Sequence, residues 1–179
     1  MNTALLIIDV QHALCTGEEA AFDIEAVVER INTVSTKARA AGVPVVLIQH
    51  EETEGTMQFG SEGWQLHASL AVHSDDLRIR KTVPDSFHKT ALQALLQSHG
   101  VGSVVICGLQ SDYCVDSTVR GALAHGYPVT LVADGHSTLD NGVLTAAQIS
   151  AHHNKTLRGI GSFGAGVTLK PAAEVVFGG

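Results

Sequence analysis

Short runs of consecutive apolar residues, separated by segments with helical periodicity, constrain the fold of this chain more than any other feature. Three such runs occupy residues 4–8, 43–48 and 104–107, and a fourth apolar segment, residues 129–132, is interrupted only by Thr130. Strands buried on both faces have this composition, and they occur in parallel sheets that helices cover on both sides. After the first run, apolar residues recur at helical spacing until Gly42 and Pro44 end the segment. The sequence therefore predicts alternating strands and helices.

The pattern predicts six strands and four helices in one domain, residues 1–179. The strands are expected at residues 3–9, 43–49, 77–80, 104–107, 129–132 and 174–177. The helices are expected near residues 23–41, 88–98, 114–125 and 142–153, with Asp140 as N-cap of the last one. This order predicts a three-layer α/β/α fold with a mostly parallel six-stranded sheet. The long polar connection 50–76 is of the kind that usually carries function.

Composition excludes several classes of protein. The 179 residues suffice for one domain with a substantial core, and the formal charge of -7 argues against a nucleic-acid partner. The apolar runs are too short to span a membrane, so no membrane association is expected. No positively charged, then hydrophobic, leader opens the chain, which predicts a cytoplasmic location. The three cysteines lack CxxC spacing, which argues against a disulfide framework.

Three chemically reactive residues follow predicted strands. Asp9 ends the first apolar run, Lys81 ends the run 77–80, and Cys114 lies just beyond the run 104–107. Parallel α/β sheets bind ligands outside the carboxyl ends of their strands. A carboxylate, an ammonium and a thiol that meet there can form an activated nucleophile. We expect Cys114 in the first turn of a helix, where the helix dipole favours a thiolate.

Each of the three residues also has a purely structural explanation. Most free cysteines are small buried apolar residues, which is the interpretation we favour for Cys15 and Cys107. Asp9 can cap a loop through local backbone hydrogen bonds. Lys81 can be an exposed residue on an edge strand. It is the combination of Asp9, Lys81 and Cys114 that points to catalysis.

Six segments in order match one known family. They are LLIIDVQ (5–11), RKTVPDSF (80–87), GLQSDYCVDST (108–118), ALAHG (122–126), VADGHS (132–137) and HHN (152–154). With them, nearly the whole chain resembles the isochorismatase-like cysteine hydrolases, which include nicotinamidases and N-carbamoylsarcosine amidases. The resemblance implies the isochorismatase-like hydrolase fold. It also implies a catalytic triad of Asp9, Lys81 and Cys114.

The resemblance further implies a mechanism. A cis peptide bond is expected between Leu109 and Gln110, which would direct the backbone N–H groups of Gln110 and Cys114 at one oxyanion. Asp9 would take the thiol proton and pass it to the leaving amine, and water would hydrolyse the resulting thioester. Phe87 matches a position that often lines the family's substrate pocket, although a core aromatic residue explains it equally well. Gln11 and Tyr113 are assigned to substrate binding with it.

One departure from the family pattern concerns metal. Nicotinamidases carry an Asp-x-His pair after the second strand, whereas here the segment reads Gln49-His50-Glu51 and lacks the leading carboxylate. His50, His67 and His73 remain possible zinc or iron ligands, but we expect no metal and no other cofactor. The expected substrate is therefore a small amide, ureide or carbamoyl compound, and a metal-dependent nicotinamidase is the alternative.

Two other classes stay open. A dinucleotide or redox protein is disfavoured because residues 9–14 contain no glycine-rich phosphate-binding turn. A non-catalytic, metabolite-binding member of the same fold would keep these motifs without the chemistry. The resemblance also implies a homodimer or larger homo-oligomer, and the apolar, glycine-rich segment 160–179 is a candidate contact surface.

Overall fold

Six parallel strands form one sheet in the computed structural model, which describes residues 2–178. The strands are Asn2–Ile8 (β1), Val45–His50 (β2), Leu77–Lys81 (β3), Val101–Leu109 (β4), Val129–Ser137 (β5) and Val167–Lys170 (β6). Their order is β3-β2-β1-β4-β5-β6, and every neighbouring pair is parallel. The predicted α/β class and strand number are confirmed, and the sheet is entirely rather than mostly parallel.

Helices cover both faces of the sheet. They are His12–Cys15 (α1), Ile24–Ala40 (α2), Leu92–Ser98 (α3), Asp116–Ala124 (α4) and Ala146–Arg158 (α5). A π-helical turn, Ser111–Val115, precedes α4, and a 3-10 turn, Ala172–Glu174, follows β6. Across residues 2–178, we find no helix with the length and apolar character that a bilayer crossing requires.

The residues of β1 alternate between two apolar cores. Ala4, Leu6 and Ile8 pack on the side of α3, α4 and α5, whereas Leu5 and Ile7 pack on the side of α2. All five are at most 1% exposed. A strand buried on both faces needs apolar residues at every position, which explains the unbroken run that opens the chain.

The strand order reverses between β1 and β4. The chain builds β1, β2 and β3 in one direction and then returns to place β4 on the other side of β1. A crevice forms outside the carboxyl ends at such a reversal, and it is the usual ligand site of an open parallel sheet. Gly108 lies there with φ 119°, and a Cβ at this position would collide with the backbone of Ile8.

The last strand differs from the prediction. The expected edge strand at 174–177 was wrong, because β6 pairs earlier, with Val167 opposite Val129 and Lys170 opposite Val132. The segment after β6 turns back over α2. There the ammonium of Lys37, a residue of α2, donates hydrogen bonds to the carbonyl oxygens of Ala172, Ala173 and Val175. The predicted strand 129–132 also continues to Ser137.

Two helices start later than predicted. α3 begins at Leu92 rather than near residue 88, because the Thr90 hydroxyl accepts a hydrogen bond from the Leu92 N–H and ends the preceding turn. α5 begins at Ala146, where Thr145 and Gln148 form a reciprocal capping box. Asp140, the predicted N-cap, instead accepts a hydrogen bond from the Ala146 N–H.

We predict that Gly108→Ala destabilises the fold through the contact of the new Cβ with the Ile8 backbone and through its positive φ. The expected loss in the free energy of unfolding is about 1–3 kcal/mol, as for other overpacked sites. Urea unfolding measures it. Gly161→Ala is the matched control, because a Cβ there meets nothing within 4 Å. Equal losses in the two variants would contradict the close-approach argument.

Candidate active site

The buried ammonium group of Lys81 joins the ends of four neighbouring strands. Its Nζ lies 2.7 Å from Asp9 Oδ2, 3.1 Å from Cys114 Sγ and 3.4 Å from His50 Nδ1. An ammonium carries three hydrogens, so these three acceptors satisfy it. The structure therefore brings together the three residues that the sequence singled out and adds His50, at the end of β2, as a fourth.

Asp9 is held in an uncommon conformation directly after β1. Its φ is 50°, in the left-handed region that Asp tolerates better than most residues, and it is 1% exposed. Oδ2 accepts from Lys81, whereas Oδ1 has no hydrogen-bond partner within the described residues. An unpaired carboxylate oxygen is costly to bury. Oδ1 is therefore available to accept a proton. A carboxylate oxygen of Asp9 and the Sγ of Cys114 lie within 4.8 Å of each other.

Cys114 rests as a neutral thiol. It lies in the π-helical turn that continues directly into α4, so Cys114 is in the first turn of the helical segment after β4, as expected, although that turn is π-helical rather than α-helical. Burial raises the pKa of the Cys114 thiol to about 12, with a further contribution from the negative charge of Asp9 and an opposing one from Lys81. For Cys114 to act as a nucleophile, a base would have to remove this proton.

Lys81 and His50 differ in charge: Lys81 is a cation and His50 is neutral. Burial alone would lower the pKa of Lys81, but Asp9 and Cys114 outweigh it, so the pKa is raised and the group stays an ammonium. Burial, followed by the positive charge of Lys81, lowers the pKa of His50. His50 is therefore neutral at neutral pH, and its Nδ1 is an acceptor for the ammonium.

A chain of buried hydrogen bonds supports the turn that carries Cys114. Asn154 donates from Nδ2 to the Ala133 carbonyl, so its Oδ1 accepts from His136 Nε2 at 3.1 Å. His136 Nδ1 is then an acceptor, and the Ser111 hydroxyl donates to it at 2.7 Å. Ser111 in turn lies 2.9 Å from Ser150 Oγ. The chain fixes the first residue of the turn to β5 and α5.

The backbone before this turn is also distinctive. The Leu109–Gln110 peptide bond is cis. The Gln110 carbonyl accepts hydrogen bonds from the N–H groups of Tyr113 and Val115, which closes the turn. The Gln110 N–H itself has no acceptor among the described residues. It is a free donor beside the cleft that contains Cys114.

A cleft of about 280 Å³ opens over the Cys114 thiol. Its walls are formed by Asp9, Leu14, His50, Glu52, Met57, Pro84, Gln110, Tyr113 and Cys114. Three of these residues belong to the long connection 50–76, which was predicted to carry function. Larger hollows elsewhere, including one at the amino ends of β2 and β3, lie away from Asp9 and Cys114.

Of the three residues predicted to bind substrate, only Tyr113 lines the cleft. Gln11 is completely buried, and its amide group bonds with the backbone of His50 and Trp64, so it holds the end of β2 in place. Phe87 is 6% exposed and belongs to the core, 4.9 Å from the ring of His125. The expectation that Gln11 and Phe87 contact substrate is therefore corrected.

The structure also corrects the proposed histidine set. His73 lies at the amino end of β3 beside Asp76, and His67 lies near Glu25, so neither meets His50. The connection between β2 and β3 crosses from one edge of the sheet to the other, which separates its histidines. Over residues 2–178, the one group with metal-ligand proximity is Asp9, His50 and Cys114, and the Lys81 ammonium already lies within 3.4 Å of all three.

Four cleft residues escaped the sequence analysis. They are Leu14, Glu52, Met57 and Pro84. Leu14 and Met57 are ordinary apolar residues whose position depends on how their loops fold, so no local pattern identifies them. Glu52 and Pro84 lie close to His50 and Lys81 in the chain, and this proximity was the available signal.

We predict that Ser111→Ala destabilises the protein because it leaves the buried Nδ1 of His136 without its donor. A buried acceptor without a partner costs about 1–3 kcal/mol, which urea unfolding measures. Ser98→Ala is the control, since that hydroxyl is exposed. An unchanged unfolding midpoint for Ser111→Ala would show that the chain does not hold the turn.

Comparison with known proteins identifies the family. The isochorismatase domain model matches residues 3–160. A streptothricin hydrolase from Streptomyces noursei is 38% identical over 138 residues, which are 76% of this chain and 50% of that protein. The chain thus spans about half the length of the curated relatives that it matches first.

Two further comparisons agree. A ureidoacrylate amidohydrolase from Pseudomonas syringae is 26% identical over 171 residues, which cover 74% of this chain and 69% of that protein. The crystal structure of an isochorismatase family protein superposes with a TM-score of 0.86 at 38% identity, covering 94% of this chain and 98% of the other. The chain belongs to the isochorismatase family.

Proposed function

We propose that the protein is a cysteine hydrolase that cleaves the C–N bond of a small amide, ureide or carbamoyl compound. The observation that carries this proposal is the contact of one ammonium, on Lys81, with both Asp9 and Cys114 at the floor of an accessible cleft. The amidohydrolase activity named for one relative supports the substrate class. The hydrolase names of the relatives support the reaction type.

The first half of the reaction forms a thioester. The free oxygen of Asp9 takes the proton of the Cys114 thiol, and the new thiolate stays next to Lys81. The sulfur attacks the carbonyl carbon of the substrate, and the negative charge moves to the carbonyl oxygen. The N–H groups of Gln110 and Cys114 are the donors proposed to stabilise that oxygen. Asp9 then returns the proton to the leaving nitrogen, the C–N bond breaks, and ammonia or an amine departs.

The second half repeats these steps with water. Asp9 takes a proton from a water molecule, and the hydroxide attacks the thioester carbonyl. The C–S bond breaks, the sulfur recovers the proton, and the acid is released. Every bond change is a proton transfer or an acyl transfer, so the residues of the cleft suffice without a Lewis acid.

We predict that variants of the triad affect turnover, which requires proton transfer, and alkylation of Cys114, which reports thiol ionisation, in different ways. Asp9→Asn is expected to lower turnover about 10²–10⁴-fold, because an amide can neither take the thiol proton nor return it. The same change removes a negative charge that raises the pKa of Cys114, so alkylation of Cys114 by iodoacetamide at pH 8 is expected to become faster. Lys81→Met is expected to slow alkylation, because it removes the cation that stabilises the thiolate.

Ammonia release from a panel of small amides and ureido compounds, with mass mapping of the label, checks these outcomes. Cys114→Ala is expected to abolish turnover, and wild-type protein quenched in acid during turnover is expected to carry an acyl adduct on Cys114. Cys15→Ala is the control, because Cys15 is buried away from the cleft and burial raises the pKa of its thiol to about 12. Full turnover in Cys114→Ala would leave the proposal without its nucleophile and would favour a metabolite-binding protein.

We predict that activity survives removal of metal ions. The ligand atoms of Asp9, His50 and Cys114 surround the Lys81 ammonium, and a divalent ion in the same place would meet its positive charge. Dialysis against a chelator, followed by the ammonia assay, is the measurement. Loss of turnover that zinc or iron restores would instead support a metal-dependent nicotinamidase.

We also propose that the chain acts as a homodimer or larger homo-oligomer in the cytoplasm. The proposal of an oligomer rests on the family resemblance, because several apolar residues of segment 160–179 are not available for contact with a second copy. Val167, Ala172 and Val175 are buried in the fold, whereas Phe163 and Val176 remain exposed. Light scattering that gives the monomer mass of 18.8 kDa at all concentrations would contradict an oligomer.

A further inference from the structure

The unpaired charge among the residues that line the cleft above Cys114 is negative. Among the described residues that line it, the charged ones are Asp9 and Glu52, and neither lysine nor arginine is present. Asp9 is neutralised by Lys81 at 2.7 Å. Glu52 forms no salt bridge within residues 2–178. The net charge presented to a ligand therefore comes from Glu52.

The cations nearest the cleft are already engaged. Lys81 is buried and its three hydrogens are taken by Asp9, Cys114 and His50. Arg80 forms a bidentate pair with Glu51, at 2.7 and 3.0 Å, and its guanidinium lies 3.8 Å from the ring centre of Phe59. His50 lines the cleft as a neutral ring because burial lowers its pKa. A carboxylate on a ligand would lose water here and find no free cation.

Glu52 occupies a defined place at the rim. Its backbone N–H donates to the Met57 carbonyl at 3.1 Å, and residues 52 and 58 form a β-bridge, so the loop between them is closed. Leu14, Met57 and Pro84 supply apolar walls to the same cleft. A short alkyl chain fits such walls, and a positive end group would reach the exposed carboxylate without complete loss of water.

We propose that this cleft selects amides whose remaining part is neutral or carries an ammonium group, and that it discriminates against amides that carry a carboxylate. The inference rests on the proposed hydrolase function and names the substrate class of that site. The cleft would select its substrates both by disfavouring anionic ligands and by attracting cationic ones. The missing cation and the carboxylate of Glu52 act against an anion, and the same carboxylate favours a cation.

A charge series of primary amides tests the proposal. The probes are 5-aminopentanamide, 5-hydroxypentanamide and the monoamide of glutaric acid, which differ in the terminal ammonium, hydroxyl or carboxylate group. Shorter and longer amino amides, with chains of four and six carbons, allow for the distance to the rim. Each is hydrolysed with release of ammonia, and kcat/KM is compared at low and high salt. We expect kcat/KM to be highest for the ammonium probe, lower for the hydroxyl probe and lowest for the carboxylate probe. The differences in kcat/KM should become smaller at high salt, which screens the carboxylate of Glu52.

The Glu52→Gln variant measures how much the negative charge of Glu52 contributes to this preference. An exposed ion pair contributes modestly, so we expect the preference for ammonium over hydroxyl to fall about 2–5-fold, and the penalty on the carboxylate probe to fall with it. Glu54→Gln is the matched control, because it removes the same charge from the same loop at an exposed position that does not line the cleft. Its ratios should equal those of the wild-type protein.

Binding measurements keep this inference distinct from the proposed chemistry. Calorimetry of the same probes with Cys114→Ala protein reports the charge preference without turnover. Preferential binding of the ammonium probe, with no hydrolysis by wild-type protein, would support the charge selection and count against the hydrolase. Hydrolysis with equal preference for the carboxylate probe would overturn the inference and leave the hydrolase intact. Equal ratio changes in Glu52→Gln and Glu54→Gln would also overturn it.

Discussion

The buried ammonium of Lys81 is the interaction on which the site depends. Its side chain has no exposed surface, and that of Asp9 is 1% exposed. Two charges removed from water lose several kcal/mol of hydration each, and their mutual attraction offsets this only when further hydrogen bonds satisfy them. Cys114 Sγ and His50 Nδ1 supply these hydrogen bonds for the ammonium. The free oxygen of Asp9 is the one polar position of the pair that stays unsatisfied.

The parallel topology is what allows this contact. Asp9, His50 and Lys81 follow or end β1, β2 and β3, and Cys114 follows β4. All four strands run in the same direction, so their carboxyl ends lie at one edge of the sheet. Reversal of any one strand would place its residue at the opposite edge. The order β3-β2-β1-β4 also makes these strands consecutive neighbours, although the chain does not visit them in that order.

The sequence was most informative where a residue's chemistry conflicts with its surroundings. Asp9 and Lys81 were recognisable because each interrupts or ends a run that otherwise reads as a strand. The four-residue β6 was not recognisable, because a short edge strand in a glycine-rich segment is defined by its pairing with β5. Phe87 looked equally suited to a core and to a pocket, and only tertiary packing against His125 and Tyr127 decides between them.

The charge states of the site also escaped the sequence, because they depend on distance and burial. The expected place of Cys114 in the first turn of a helix suggested a stabilised thiolate, whereas burial and the charge of Asp9 raise the pKa of its thiol. The resting site therefore contains one anion, Asp9, and one cation, Lys81. In the proposed mechanism the proton moves from Cys114 to Asp9, and the negative charge moves from oxygen to sulfur. Because Lys81 Nζ lies 2.7 Å from Asp9 Oδ2 and 3.1 Å from Cys114 Sγ, the cation stays beside the anion throughout.

In the proposed mechanism, this arrangement would allow a thiol with a raised pKa to serve as a nucleophile in a buried site. Ionisation to bulk water would leave a new buried anion, which burial makes costly. Transfer to Asp9 keeps the net charge of the site constant, so it requires no additional buried charge. Lys81 contacts both Asp9 and Cys114, so its positive charge stays next to the anion whichever of the two carries it. In the proposed mechanism, the reactivity of Cys114 is a property of Asp9, Lys81 and Cys114 together rather than of the cysteine alone, and it depends on the strand order that brings the three residues together.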